Sequence, residues 1–197
     1  MSFIYQQEVK ELALSQDLSY DKIKAFFNNL ADKMGIQGGD AAETMSRLKA
    51  IWALQFGREE IYKEIKQMPQ GSKYDFELHG EKYEVKARRN SGDHKYDWYY
   101  FVNVSTGVGC ELDKTNYADK FICVTSDGYA WCFDAKKPDF IGYPERKVRT
   151  DYESTETKRS PMAYYFVRNC KWEVRIAGEY WEPWKIIDEV WENQKPK

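Results

Sequence analysis

Histidine is scarce in this chain, with only His79 and His94, and the four cysteines (Cys110, Cys123, Cys132 and Cys170) form neither a CxxC pair nor a finger-like spacing. A zinc site built on His and Cys is therefore not expected, and the cysteines read as small core residues of a reduced protein. No apolar run approaches the ~18 residues of a membrane span. The opening "MSFIYQQEVKELALSQ" breaks its apolar positions with acids and Gln and lacks a signal-peptide core. The expectation is a cytoplasmic protein with no membrane association. Excess positive charge is also missing: 30 Lys and Arg face 32 Asp and Glu, a net charge of −2. That excludes a broadly basic nucleic-acid coat and requires any DNA binding to use a local patch. A Gly-rich phosphate loop, a Ser-His-Asp constellation and a dinucleotide fingerprint are absent as well.

What is present is material for a core. Of the 197 residues, 42% are hydrophobic and 16% aromatic, including seven Trp and fifteen Tyr. Such a composition folds, and the length suits one domain with an appendage or two small domains. The first 68 residues read as helical. "LSYDKIKAFFNNLADKMG" has Ser19 as N-cap, Leu18 and Ile23 as a hydrophobic staple, an apolar stripe through Ile23, Phe26, Phe27, Leu30 and Met34, and Gly35 as the stop. Asp40 and Glu43 start a second helical pattern through Met45, Leu48, Ile51, Trp52 and Phe56, expected to continue past Gly57 to Met68, where Pro69 ends it. Ample apolar stripes without concentrated opposing cations suit a helical layer covering a sheet more than a DNA-gripping attachment.

Strand signals dominate the rest. "WYYFVNV" is aromatic and β-branched, and "KFICVTSDGYAWCFDA" reads as two strands around Asp127-Gly128. Residues 138–161 are a charged stretch expected to be a loop, either mobile or ordered by a partner. "MAYYFVRNCKWEVRI" suits one or two strands, and "EPWKIIDEVWEN" a closing helix with Pro183 in its first turn. The C-terminal Trp172, Trp181, Trp184 and Trp191 fit core packing, with base stacking or a dimer seal as the other use.

The most informative stretch is "YDFELHGEKYEVKARR", residues 74–89. With Gly80 and Glu81 as a two-residue turn, His79 pairs with Lys82, Phe76 faces Val85, and Asp75 faces Lys86. Alternation puts Phe76, Leu78, Tyr83, Val85 and Ala87 on one face and Asp75, Glu77, Glu84, Lys86 and Arg88 on the other. Opposed carboxylates such as Glu77 and Glu84 repel unless a cation lies between them. Mg²⁺ accepts one or two carboxylates plus waters and phosphate oxygens, so such a face could hold one. A solvated strand face is the other reading of the same charges.

In its order of elements (an acid-bearing helix "GREEIYKEI", a hairpin with Asp75 and Glu84-Val85-Lys86, an aromatic strand, another strand pair) the chain resembles the core of the PD-(D/E)XK nuclease superfamily over about residues 50 to 136. Tyr74 stands where the motif's name has proline. The resemblance implies an α/β fold with a central mixed sheet flanked by helices, like that of restriction endonucleases. It divides the chain into an N-terminal helical segment (1–49), a nuclease-like core (50–137) and a completing segment of charged loop, strands and helix (138–197). It further implies a Mg²⁺-dependent endodeoxyribonuclease, with Mn²⁺ as a substitute, of restriction, junction-resolving or homing type. Asp75, Glu84 and the Val85 carbonyl become the metal ligands and Lys86 the residue that orients or deprotonates water. Glu60 is the helix glutamate, with Glu59 and Glu64 as alternatives. Double-stranded DNA is the expected partner and a homodimer the expected assembly. Arg88, Arg89 and Lys95, with His94, follow the motif directly and are candidates for flanking phosphates. The reading from a different class is a nucleic-acid-binding or protein-interaction module on the same fold, without catalysis.

Overall fold

The computed structural model describes residues 2–88, 100–103, 117–143, 145–151, 154–159 and 162–196. Three helices come first: α1 (Gln6–Ala13), α2 (Tyr20–Met34) and α3 (Ala41–Gln55). The caps of α2 and α3 are those the residue types dictate. Ser19 accepts from the Lys22 N–H and Asp40 from the Glu43 N–H, each satisfying an otherwise unpaired amide of a first helical turn. The second helical pattern is shorter than expected. The helix stops at Gln55, Phe56 leaves the helical region at ψ 106°, and Glu59–Glu64 form a separate 3₁₀ turn. Apolar residues at Ile61, Ile65 and Met68 continue the pattern in sequence while the backbone has already turned away.

The strands are β1 (Lys66–Gln67), β2 (Phe76–Leu78), β3 (Glu81–Arg88), β4 (Tyr100–Asn103), β5 (Lys120–Thr125), β6 (Tyr129–Asp134), β7 (Phe140–Gly142), β8 (Glu145–Asp151), β9 (Ser154–Arg159), β10 (Met162–Tyr165) and β11 (Trp172–Arg175). A closing helix, α4 (Glu182–Gln194), has Pro183 in its first turn. Strands β1-β2-β3-β5-β6-β11 form one six-stranded sheet in that order, with β3 and β5 parallel and every other pair antiparallel. The chain is thus a mixed α/β protein whose mixed sheet is flanked by helices. Strands β4-β10-β7 make a second, antiparallel sheet, and β8-β9 a two-stranded hairpin. Residues 138–161, expected as a loop, therefore contain β7, β8 and β9. Helix α3 runs across residues 49 and 50, so the first two segments of the sequence reading share one helix.

The centre of the large sheet is buried on both faces, and β5 shows how. Ile122 and Val124 pack with the helices, in a cluster that includes Phe27, Leu48, Trp52, Phe76 and Trp184. Phe121 and Cys123, one residue out of phase, pack with Phe133, Ala163 and Tyr165 of β6 and the small sheet. Period-two alternation thus feeds two cores from one strand. Trp181, Trp184 and Trp191 are all buried among the helices, and Trp172 is partly so. Among the described residues no helix is long and apolar enough to cross a membrane.

Candidate active site on the β2–β3 hairpin

The hairpin turn is His79-Gly80, one residue earlier than expected. Both residues have positive φ, 52° and 80°, which is what a two-residue turn with both central residues left-handed requires. The pairs become Leu78 with Glu81, Glu77 with Lys82, and Phe76 with Tyr83. Shifting the turn by one position changes partners but preserves faces. Phe76, Leu78, Tyr83 and Val85 are buried on the helical side as anticipated, whereas Ala87, expected with them, is exposed.

The change of partners matters for the charges. Glu77 does not oppose Glu84, and Asp75 does not face Lys86. Glu77 lies between Lys82 of β3 and Lys66 of β1, and accepts from the Tyr74 hydroxyl. The acid brought to Glu84 is Asp75, just beyond the start of β2. Its N–H donates to the Tyr83 carbonyl at 2.8 Å, and its Oδ2 accepts from the Val85 N–H at 2.6 Å. Burial, then the Glu84 carboxylate, push the Asp75 carboxyl up to about 7, against the opposing pull of Arg47, the Val85 N–H and Lys86. The Lys86 ammonium donates to Glu84 Oε1. Glu84 is 6% exposed, so this pair sits in a largely water-free place.

Asp75, Glu84, Val85 and Lys86 are therefore brought together. Glu60 is not. It lies on the 3₁₀ turn, its side chain 77% exposed, and pairs with Lys63 at 2.5 Å. Its alternatives are elsewhere too: Glu59 accepts from the Ser2 N–H and Glu64 meets His79. The residue that α3 does contribute is Arg47, fully buried. Its guanidinium donates to the Met68 and Asp75 carbonyls, both at 2.7 Å, to Gln67 Oε1 at 3.2 Å and to Glu43 Oε1 at 2.7 Å, and lies 3.3 Å from Asp75 Oδ1. Glu43 Oε2 is buried without a hydrogen-bond partner. One helical turn thus joins the site through an arginine, with a carboxylate behind it. The signal was legible: Thr44, Arg47, Leu48 and Ile51 follow helical spacing, and an arginine inside an apolar stripe needs buried acceptors. Arg88 ends β3 opposite Thr125. Its side chain, together with Arg89, His94 and Lys95, lies outside the described residues.

Among the described residues, no group of three or more His, Cys, Asp and Glu side chains is arranged to hold a metal ion. Two carboxylates are what Mg²⁺ commonly takes from a protein, the remaining positions going to water and phosphate oxygens. Asp75 and Glu84 are two acids close enough that the Glu84 charge adds to burial in raising the Asp75 carboxyl. Compared with family models, curated proteins and solved structures, the chain matches none of them.

Proposed function

We propose that this chain is a metal-dependent endodeoxyribonuclease that hydrolyses DNA phosphodiester bonds, with a restriction-endonuclease-like version of its mixed sheet. The observation that carries the reading is the meeting of two poorly hydrated carboxylates, Asp75 and Glu84, beside a lysine on the same strand. Like charges so placed repel, and a divalent cation reverses the sign. Asp75, Glu84 and the Val85 carbonyl would hold Mg²⁺, or Mn²⁺ in its place. Such an ion, when bound, neutralises charge on the phosphate and assists both the attacking water and the leaving oxygen. Arg47 fixes Asp75 through its main chain and its carboxylate, so the ligand geometry is set by α3. Lys86, freed from Glu84, would orient the water as an ammonium or, as the neutral amine, take its proton. Two such chains would be needed to cut both strands of a duplex in one event, which is the argument for a homodimer. Incubation of supercoiled and linear DNA with Mg²⁺, Mn²⁺ or EDTA tests the reading: metal-dependent nicking or cutting is expected, and its absence over varied substrates counts against it.

One observation favours the non-catalytic module instead. Asp75 already has Arg47, and Glu84 already has Lys86, so the cluster can balance its charge without a metal. Calorimetric titration of Mg²⁺ and Mn²⁺ separates the two readings. The nuclease reading expects binding by the wild type that Asp75→Ala loses, and flat traces from both proteins favour the module.

A further inference from the structure

Where α3 stops, the sheet beneath it loses its cover. Phe56 is extended, Gly57 turns with φ 80°, and the chain returns to the core only at Ile61 of the 3₁₀ turn, 7% exposed. The gap is a cavity of about 330 Å³ bounded by the end of α3, the 3₁₀ turn, the β2-β3 turn and β11. Its β11 wall shows what is missing. Trp172, Cys132 and Ile122 are neighbours in one row across the helical side of the sheet; Cys132 and Ile122 are fully buried, but Trp172 and, two residues on, Val174 only partly so. Phe56, which also lines the cavity, is 48% exposed. Leu54 and Leu78 extend the apolar lining. Ligand sites of about 300–1,000 Å³ have this character, apolar walls with a few polar groups to fix orientation, and the cavity stands at the small end of that range.

The polar groups identify the ligand class. His79 is paired with Glu64, and Glu81 accepts from the Tyr83 hydroxyl at 3.0 Å and lies 3.6 Å from the Lys120 ammonium. Arg58 differs: among the described residues its guanidinium has no hydrogen-bond or ion-pair partner. It lines the cavity and stands close enough to Tyr83 to oppose the upward push that burial and Glu81 exert on the phenol. The hollow therefore has one uncommitted cation at its side. A guanidinium fork matches a carboxylate, and a single cation with a glutamate nearby suits a monoanion better than a phosphate dianion. At ~30 Å³ for each water the volume equals roughly eleven waters, which suits a ligand of about as many heavy atoms. We propose that this cavity binds a small organic acid, with its ring or branched chain against Phe56, Trp172 and Leu78 and its carboxylate on Arg58. The site lies on the helical side of the hairpin, facing away from Glu84, and stands whether or not that other face is catalytic.

The test is a heteronuclear NMR titration of the isotope-labelled full chain with hydrocinnamate, its neutral amide and the cation phenethylamine. The reporter is the Trp172 indole N–H, assigned by its loss in Trp172→Phe. Hydrocinnamate should shift that signal and saturate with a Kd of roughly 1 mM or tighter, the amide should bind more weakly, and the amine should not bind. Arg58→Gln should weaken the acid by roughly 5-fold or more and leave the amide unchanged. Arg58 is exposed and its side chain is unpartnered, so this variant carries little risk to folding. Val174→Phe, which fills the hollow, should weaken acid and amide alike. A wild-type signal that does not saturate by about 10 mM hydrocinnamate would overturn the proposal. Equal binding of acid and amide, or unchanged acid binding by Arg58→Gln, would overturn the assignment to an anion. Unchanged binding by a Val174→Phe protein that melts like the wild type would overturn the site.

Discussion

Lys49 and Lys86 both sit on carboxylates with little water around them, on opposite sides of the β3-β5 pair. Lys49 bridges α3 and α4, donating to both oxygens of Asp188 at 2.8 and 2.7 Å, with its ammonium 4.9 Å from the Trp184 ring centroid and 5.5 Å from that of Trp181. It borders a cavity of about 170 Å³ beside Ala87, Val124 and Thr125. Lys86 donates to Glu84, but a second acid, Asp75, presses on the same carboxylate. The first lysine joins two helices to each other with one acid matched to it. The second is crowded by two acids, Asp75 and Glu84, and Arg47 comes from another element to balance it. Both are buried salt bridges, and on the nuclease reading it is this uneven one that would take a cation.

Breaking the uneven pair should give the largest effect. If the nuclease reading holds, Lys86→Ala should still bind Mg²⁺ yet cleave DNA roughly 10²- to 10⁴-fold more slowly, measured in single turnover. Glu84→Ala should lose metal and rate together, and wild-type cleavage by Lys86→Ala would remove catalysis from this hairpin. Breaking the even pair should affect folding alone. Asp188→Ala strands a buried ammonium between two indoles and should destabilise the chain by about 3–5 kcal/mol in urea melts, with metal affinity unaltered in whatever remains folded.

A smaller effect separates the pairs by pH. The Asp75 carboxyl is pushed up to about 7 in the folded chain, whereas an unfolded aspartate titrates near 4. Between those values the folded state holds the extra proton. Its contribution to stability is therefore greatest below pH ~4, declines as pH rises through the window, and is lost above ~7. Asp75→Asn should remove that decline and leave the chain more stable than wild type at pH 8 by about 1 kcal/mol or more, read from denaturant midpoints. On the nuclease reading, Mg²⁺ binding should release a proton near pH 6, detectable as a buffer-dependent heat. The smallest change is expected at Glu60. Glu60→Gln should alter stability by less than about 0.5 kcal/mol and leave any cleavage rate as it was, because its carboxylate faces solvent.

The legibility of these features follows from what each residue type must do locally. Ser19 and Asp40 announced their helices because a cap is a contact between near neighbours. The two faces of β2 and β3 were readable although the turn was misplaced, since a one-position turn shift keeps the alternation in phase. Which acid meets Glu84 was not readable, because it depends on that very shift. The end of α3 was hidden by apolar residues that continue the helical spacing through Ile61 and Ile65 while packing from a 3₁₀ turn and the segment after it. Strands β8 and β9 escaped notice for the opposite reason: "ERKVRTD" and "STETKR" are almost wholly polar, so alternation leaves no trace in them. Helix α4, with Pro183 in its first turn, and the β5-β6 hairpin, with Asp127-Gly128 at its turn, were legible in the sequence.

The parallel pairing of β3 with β5 sets an order of assembly. An antiparallel hairpin such as β2-β3 closes through two residues, but β3 can meet β5 only after residues 89–119 have been made and looped back. During synthesis, therefore, β3 has an open edge until Ile122, the partner of Val85, has been made. Edges of this kind recruit strands from other chains. Glu84 and Lys86 on β3, with Asp75 close by, put charged side chains on that strand, so the same residues that form the candidate site would also guard a nascent chain against misassembly.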